Sequence, residues 1–126
     1  MRRVWIALAA AGLPWVSVAA ATPDQFKIRS TDDLVAVCTT REGDSLYGPS
    51  IGFCHGFVVR AIQYHSALYD RGKHKPIYCL PDPPPTRSEG LRNFVAWVQA
   101  NPKYGSEPAV ESVFKYLVEK YPCAAK

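Results

Sequence analysis

Four cysteines, at positions 38, 54, 79 and 123, constrain this chain more than any other feature, because they follow an N-terminal segment built for export. The opening MRRVWIALAAAGLPWVSVAAATPDQ carries Arg2 and Arg3, an apolar run from Val4 to Val18, and small residues through Ala21. This is the layout of a secretory signal peptide, in which a basic start and an apolar stretch precede small side chains that fit the peptidase. Cleavage is expected after Ala20 or Ala21, leaving a signal peptide over residues 1–21 and a single domain over 22–126. Pro14 interrupts the apolar run, whereas a retained spanning helix wants roughly 20 uninterrupted apolar residues. No membrane association is therefore expected after cleavage. An even number of cysteines in an exported chain reads as two disulfides, since the compartment outside the inner membrane is oxidising.

A chain of this length has room for one domain and a modest core. The formal charge of +4 falls to +2 without Arg2 and Arg3, and the remaining charges are mixed and scattered. That balance gives no electrostatic reason to expect nucleic acid or an anionic membrane as partner.

Apolar spacing divides the mature chain into four helices. Residues 22–29 have no period and read as a loose lead-in. STDDLVAVC then offers Ser30 or Thr31 as cap, Asp32 and Asp33 in the first turn, and Leu34, Val37 and Cys38 along one face, predicting a helix over about 31–40. TREGDSLYGPS is a connector in which Ser45 is placed to cap the next element. From about Pro49 to Tyr69, apolar residues recur at spacings of three and four in two adjacent stripes, the second made of Phe53, Phe57, Tyr64 and Leu68. A helix apolar around so much of its circumference is expected to be the central strut, with Gly52 and Gly56 marking a close helix crossing.

The segment DRGKHKPIYCLPDPPPTRSEG excludes any continuous helix, and Pro83, Pro84 and Pro85 should be extended and stiff. Thr86 and Glu89 form a capping box ahead of LRNFVAWVQAN, with Asn101-Pro102 as its stop. Ser106 is then placed to cap a fourth helix carrying Val110, Val113, Phe114, Leu117 and Tyr121, ended by Pro122. Only KPIYCL hints at a strand. The expected fold is all-α, a small four-helix bundle with two disulfides.

Antiparallel packing then predicts the pairing. A hairpin of the first two helices sets Cys38 opposite Cys54, and a hairpin of the last two sets Cys79 beside Cys123; of the three possible connectivities this one closes with short reach. The two loops contribute on the order of 3 and 4 kcal/mol in the chain-entropy model. A catalytic reading of Cys54-His55 fails on geometry, because adjacent helical residues project about 100° apart and His55 cannot reach the sulfur. His55, His65 and His74 lack ligand spacing, and there is no C-x-x-C, so neither a metal nor another cofactor is expected. Asp82 and Glu89 lack a paired carboxylate for glycosidase chemistry. Trp97 reads as core, and Tyr104, in the turn after the third helix, as an exposed anchor.

DLVAVC, IGFCHGFVVRAIQYH, YCLPDPPP, LRNFVAWVQANP and EPAVESVFKYLVEKYPC occur in that order from about residue 31 to 123. This joint pattern of GFC-x-G, CLP, W-x-x-x-NP and YPC resembles the Rap/Tai family of type VI secretion immunity proteins. The resemblance implies a small, non-enzymatic, all-helical periplasmic protein, often dimeric, that neutralises a peptidoglycan amidase effector by covering its active site. It implies structural roles for Cys38, Cys54, Cys79 and Cys123. It carries over no contact residue. The candidate contact surface is instead read from loop character, as Asp82, Pro83, Pro84, Pro85, Thr86 and Arg87 together with Tyr104, because a stiff protruding loop binds at low entropic cost. Two other classes stay open: a small helical envelope chaperone or stress protein, and a structural envelope component without an enzyme partner.

Overall fold

The computed structural model describes residues 20–69 and 74–124; the expected signal peptide, apart from its last two residues, lies outside them. Four α-helices are present: α1 (Thr31–Cys38), α2 (Tyr47–Tyr69), α3 (Arg87–Ala100) and α4 (Ala109–Lys120). Short 3-10 turns at Pro23–Lys27 and Pro102–Tyr104 precede α1 and α4. Among the described residues there is no strand, and KPIYCL is irregular. The lead-in is less loose than its composition suggests. Gln25 reaches back to accept the Thr22 N–H at 2.8 Å, and Asp24 pairs with Lys27 and Arg29 on the surface.

The centre of the bundle is α1, which corrects the expectation that α2 is the central strut. Leu34 and Val37 are both 0 % exposed, and α1 packs against the lead-in turn and all three other helices. The reason is geometric. At 1.5 Å per residue, the 23-residue α2 is about 35 Å long, against about 21 Å for α3 and about 18 Å for α4. Shorter neighbours cannot cover it. An eight-residue helix of small and medium side chains can be enclosed on every side. Accordingly α2 buries only Ser50, Cys54 and His65, while Phe53, Tyr64 and Leu68 of its second stripe stand 37 %, 69 % and 44 % exposed.

The glycine expectation is corrected in the same way. No atom lies within 4 Å of where a Cβ would stand at Gly52 or Gly56, so no helix crosses there. The close approach is at Gly105, where a Cβ would sit 2.5 Å from the Asp32 carboxylate.

That approach brings the turn between α3 and α4 onto the start of α1. A helix leaves its first four N–H groups without intrahelical partners, and here each has one. Thr31 N–H donates to the Glu107 carbonyl at 2.8 Å and Asp32 N–H to the Gly105 carbonyl at 2.9 Å. Asp33 N–H donates to the Ser30 side chain at 3.2 Å, and Ser30 N–H donates back to the Asp33 carboxylate at 3.3 Å; the regular helical ladder begins with Leu34 N–H donating to the Ser30 carbonyl. The buried Thr31 hydroxyl lies 2.7 Å from that of Ser112 and 3.0 Å from the Glu107 carbonyl, linking α1 to α4.

Two expected caps are corrected. The N-cap of α4 is Pro108, with no side-chain bond, rather than Ser106; on either side of Ser106 the Gly105 and Glu107 carbonyls accept from α1. Ahead of α2 the carboxylate of Asp44, not Ser45, accepts the Leu46 N–H at 2.8 Å. Apolar side chains complete the core in two clusters, one around Leu34, Phe94, Val98, Val113, Tyr116 and Leu117, the other around Val37, Cys54 and Leu91. Cys38 is bonded to Cys54 and Cys79 to Cys123, with Cα separations of 5.2 and 4.9 Å.

Removing one hydroxyl of the buried pair leaves the other without that partner, a cost of about 1–3 kcal/mol. Thr31→Val and Ser112→Ala are each expected to destabilise by that amount in urea unfolding. The double variant should cost less than the sum, the coupling between contacting residues being about 0.5–3 kcal/mol; strict additivity would show that the two hydroxyls do not act together.

Candidate functional site

The proline-rich linker is fixed at both ends. Tyr78 is buried, its ring stacked 4.6 Å from His65 and tilted 6.3 Å from Phe114. Cys79 is bridged to Cys123, and its N–H donates to the Tyr121 carbonyl at 2.8 Å. Seven residues later the chain is held again by the capping box of α3. Glu89 N–H donates to the Thr86 hydroxyl oxygen at 3.3 Å, while the Glu89 carboxylate accepts the Thr86 N–H at 2.8 Å and the Thr86 hydroxyl at 2.6 Å. Those bonds, the hydroxyl first, hold the Glu89 carboxyl below its ordinary value of 4.5.

Between these anchors Leu80, Pro81, Asp82, Pro83 and Pro84 are exposed, and Pro85 is half-buried. The Asp82–Pro83 peptide is cis. Thr86 and Arg87 are exposed at the start of α3. The candidate residues from Asp82 to Arg87 thus form one short protrusion, stiffened by proline and tied at both ends.

Tyr104 does not join them. It lies beyond the far end of α3, about 20 Å away along a helix of that length. Its ring is stacked on Trp97, with centroids 4.8 Å apart, and the ammonium groups of Lys103 and Lys115 lie 4.9 and 5.1 Å from its centre. Tyr104 is therefore half-buried and pinned rather than exposed, because the flat face expected to meet a partner meets Trp97 instead. Trp97 is itself half-buried against the core.

Sequence spacing missed a feature behind the protrusion. An apolar cavity of about 110 Å³ separates α2 from α3 and α4. His55, Val58, Val59 and Ile62 line it from α2, and Leu80, Pro85, Thr86 and Arg87 stand at its edge. His55 also borders a more polar groove with Tyr47, Ser88, Arg92 and Gln99. The one signal in the sequence was a polar residue inside an apolar stripe. Cys54, beside it, is 1 % exposed and bridged, so no thiolate stands there. His65 is buried, and His74 is exposed with its ring edge-on to Tyr69 at 6.0 Å. Among the described residues no three His, Cys, Asp or Glu side chains gather as a metal site, and no helix is long and apolar enough to cross a membrane.

A second surface runs across α2 and α4. Phe53, Phe57 and Ala61 border Val110, and the same outer face of α4 continues through Phe114 and Val118 to Ile77.

A family model described as Rap1a immunity proteins matches residues 30–123, which span all four helices and all four cysteines. No curated protein and no solved structure matches the chain.

Thr86→Ala removes the cap and is expected to cost about 1 kcal/mol at neutral pH. A carboxyl whose folded value is depressed contributes stability above its unfolded value and loses it as pH falls through the folded value. The difference between wild type and Thr86→Ala should therefore narrow below about pH 4.5, the ordinary value of Glu89. Thermal melts at several pH values measure it, and a gap that widens in acid contradicts the assignment.

Proposed function

The chain belongs to the Rap1a immunity protein family, and from that premise we propose that it neutralises a cognate type VI effector, a peptidoglycan amidase, by placing the 82–87 protrusion over the enzyme's active site. The observation that carries this reading is the double anchoring of the protrusion, by Cys79–Cys123 on one side and the Thr86–Glu89 box on the other. Affinity is limited by what must be ordered on binding. A loop of six residues held at both ends and rich in proline has little left to order. Its tip offers an acidic Asp82, the rings of Pro83 and Pro84, and the Arg87 guanidinium, a mixed surface suited to a cleft that binds cell-wall peptides.

The same reading places the protein in the periplasm after removal of residues 1–20. Cleavage after Ala20 retains Ala21, which is buried at 6 % exposure beside Val37, Cys54 and Leu91. Two disulfides require an oxidising compartment, where a cell-wall enzyme would also act. The scaffold performs no chemistry of its own in this reading. Association with a second copy belongs to it as well, and the apolar strip over Phe53, Phe57, Val110 and Val118 supplies a face for pairing that leaves the protrusion free. Sedimentation at micromolar concentration measures that pairing, and a monomer counts against it.

Co-expression with cell-wall amidases directed to the periplasm is the deciding test. One of them should lose its lytic effect in the presence of this chain. Arg87→Glu and Pro84→Gly together should weaken the complex by at least about tenfold, or 1.4 kcal/mol, in calorimetric titration with unchanged melting temperature. If no amidase is neutralised, the reading fails. Recovery of many unfolded clients from a periplasmic pull-down would favour the chaperone alternative.

A further inference from the structure

The two disulfides stand in opposite surroundings. Cys54 is 1 % exposed and packed in one cluster with Ala21, Val37 and Leu91, with Phe26 and Ile28 against it, and its partner Cys38 is half-buried. Cys79 is exposed, and Cys123 is half-buried between the exposed Pro122 and Ala124. A thiolate exchanges only with a sulfur it can reach, so access ranks the two bridges: enclosed ones are structural and exposed ones labile.

Little else holds the chain around the exposed bridge. Between His74 and Pro85 the one backbone hydrogen bond among the described residues runs from the Cys79 N–H to the Tyr121 carbonyl, and beyond Tyr121 the described residues donate none. The buried Tyr78 ring is the other anchor at this end of the protrusion. Cutting the bridge therefore leaves one ring and one hydrogen bond there, while the Thr86–Glu89 box at the far end is untouched. The product is also provided for. Cys123 Sγ lies 3.7 Å from the Pro76 carbonyl, so a released Cys123 thiol has an acceptor for its S–H.

We infer that Cys79–Cys123 is a thiol–disulfide exchange site, with Cys79 Sγ as the sulfur attacked, and that its opening loosens the 82–87 protrusion while the Cys38–Cys54 bridge and the bundle stay intact. The reagent is a thiolate, carried by a small thiol or by a protein dithiol. It bonds to Cys79 Sγ, the bond from Cys79 Sγ to Cys123 Sγ breaks, and Cys123 leaves as a thiolate that takes a proton from water. A second thiolate then attacks the reagent's sulfur in the mixed disulfide, and Cys79 is released and protonated in turn. Two electrons and two protons pass to the bridge, and the reagent ends as a disulfide. The exchange site stands on access to the sulfur and survives if no amidase is neutralised; only its consequence for effector affinity rests on the effector-binding reading.

The mature, oxidised chain is incubated without denaturant with reduced glutathione in one arm and reduced thioredoxin in the other, quenched by alkylation and mapped by mass spectrometry. Cys79 and Cys123 should become labelled at least about tenfold faster than Cys38 and Cys54, with the transient glutathione adduct on Cys79. Opening by thioredoxin at micromolar concentration assigns the site to protein dithiols; opening by millimolar glutathione alone assigns it to small thiols. In the chain opened at this bridge, hydrogen exchange at the Cys79 amide should rise about tenfold or more, while the Thr31 and Asp32 amides exchange as in the oxidised chain. A folded chain carrying Cys79→Ser with Cys123→Ser should show the same exchange pattern. The inference is overturned if both bridges open together, if Cys38–Cys54 opens first, if the adduct sits on Cys123, if neither reagent opens the exposed bridge, or if the Cys79 amide is as protected after opening as before.

Discussion

The first turn of α1 is the constraint on which the rest of the structure depends. Its four free N–H groups are satisfied by the reciprocal Ser30–Asp33 capping box and by the carbonyls of Gly105 and Glu107, and the buried Thr31 and Ser112 hydroxyls bond beside them. A buried helix end without such partners would be untenable. Because two of the partners come from the turn between α3 and α4, α1 can be enclosed only where that turn docks. Gly105 allows the approach, since any side chain there would meet Asp32. The opposite end of α1 is fixed covalently to α2 through Cys38 and Cys54. A helix of eight residues is thereby held at both termini, and the longer helices arrange themselves around it.

This arrangement leaves α2 only partly covered and gives the domain two distinct faces. One carries the protrusion and, behind it, the apolar cavity against α3 and α4. The other is the apolar strip shared by α2 and α4. The two use the same stretch of α2 from different sides, with His55, Val58 and Ile62 lining the cavity and Phe53, Phe57 and Ala61 bordering the strip. The protrusion is rigid for reasons unrelated to the core: a disulfide and a capping box each hold a point in the chain, and proline limits what lies between.

His55 and Tyr104 show how neighbours alter the meaning of a residue. Read along the chain, His55 is a bystander next to a disulfide; in space it borders both the apolar cavity and the polar groove. Tyr104 reads as an exposed ring in a turn, yet the ring is stacked on Trp97 and flanked by two lysines. Neither outcome is encoded by local spacing, because the stacking on Trp97 and the α3 and α4 walls beside His55 come from residues seven or more positions away.

The sequence by itself determined that the chain is all-helical, where α3 begins, that α1 is capped at Ser30 or Thr31, and that the segment before α3 cannot be regular. Those features follow from periodicity, proline and capping chemistry acting within a few residues. Only the tertiary structure decided that the short α1 rather than the long α2 is enclosed, that the close backbone contact is at Gly105 rather than at Gly52 and Gly56, and that Tyr104 lies apart from the 82–87 segment. The physical reason is that burial is set by which surfaces meet. An apolar stripe states that a face should be covered, and the lengths of the neighbouring helices determine whether it is.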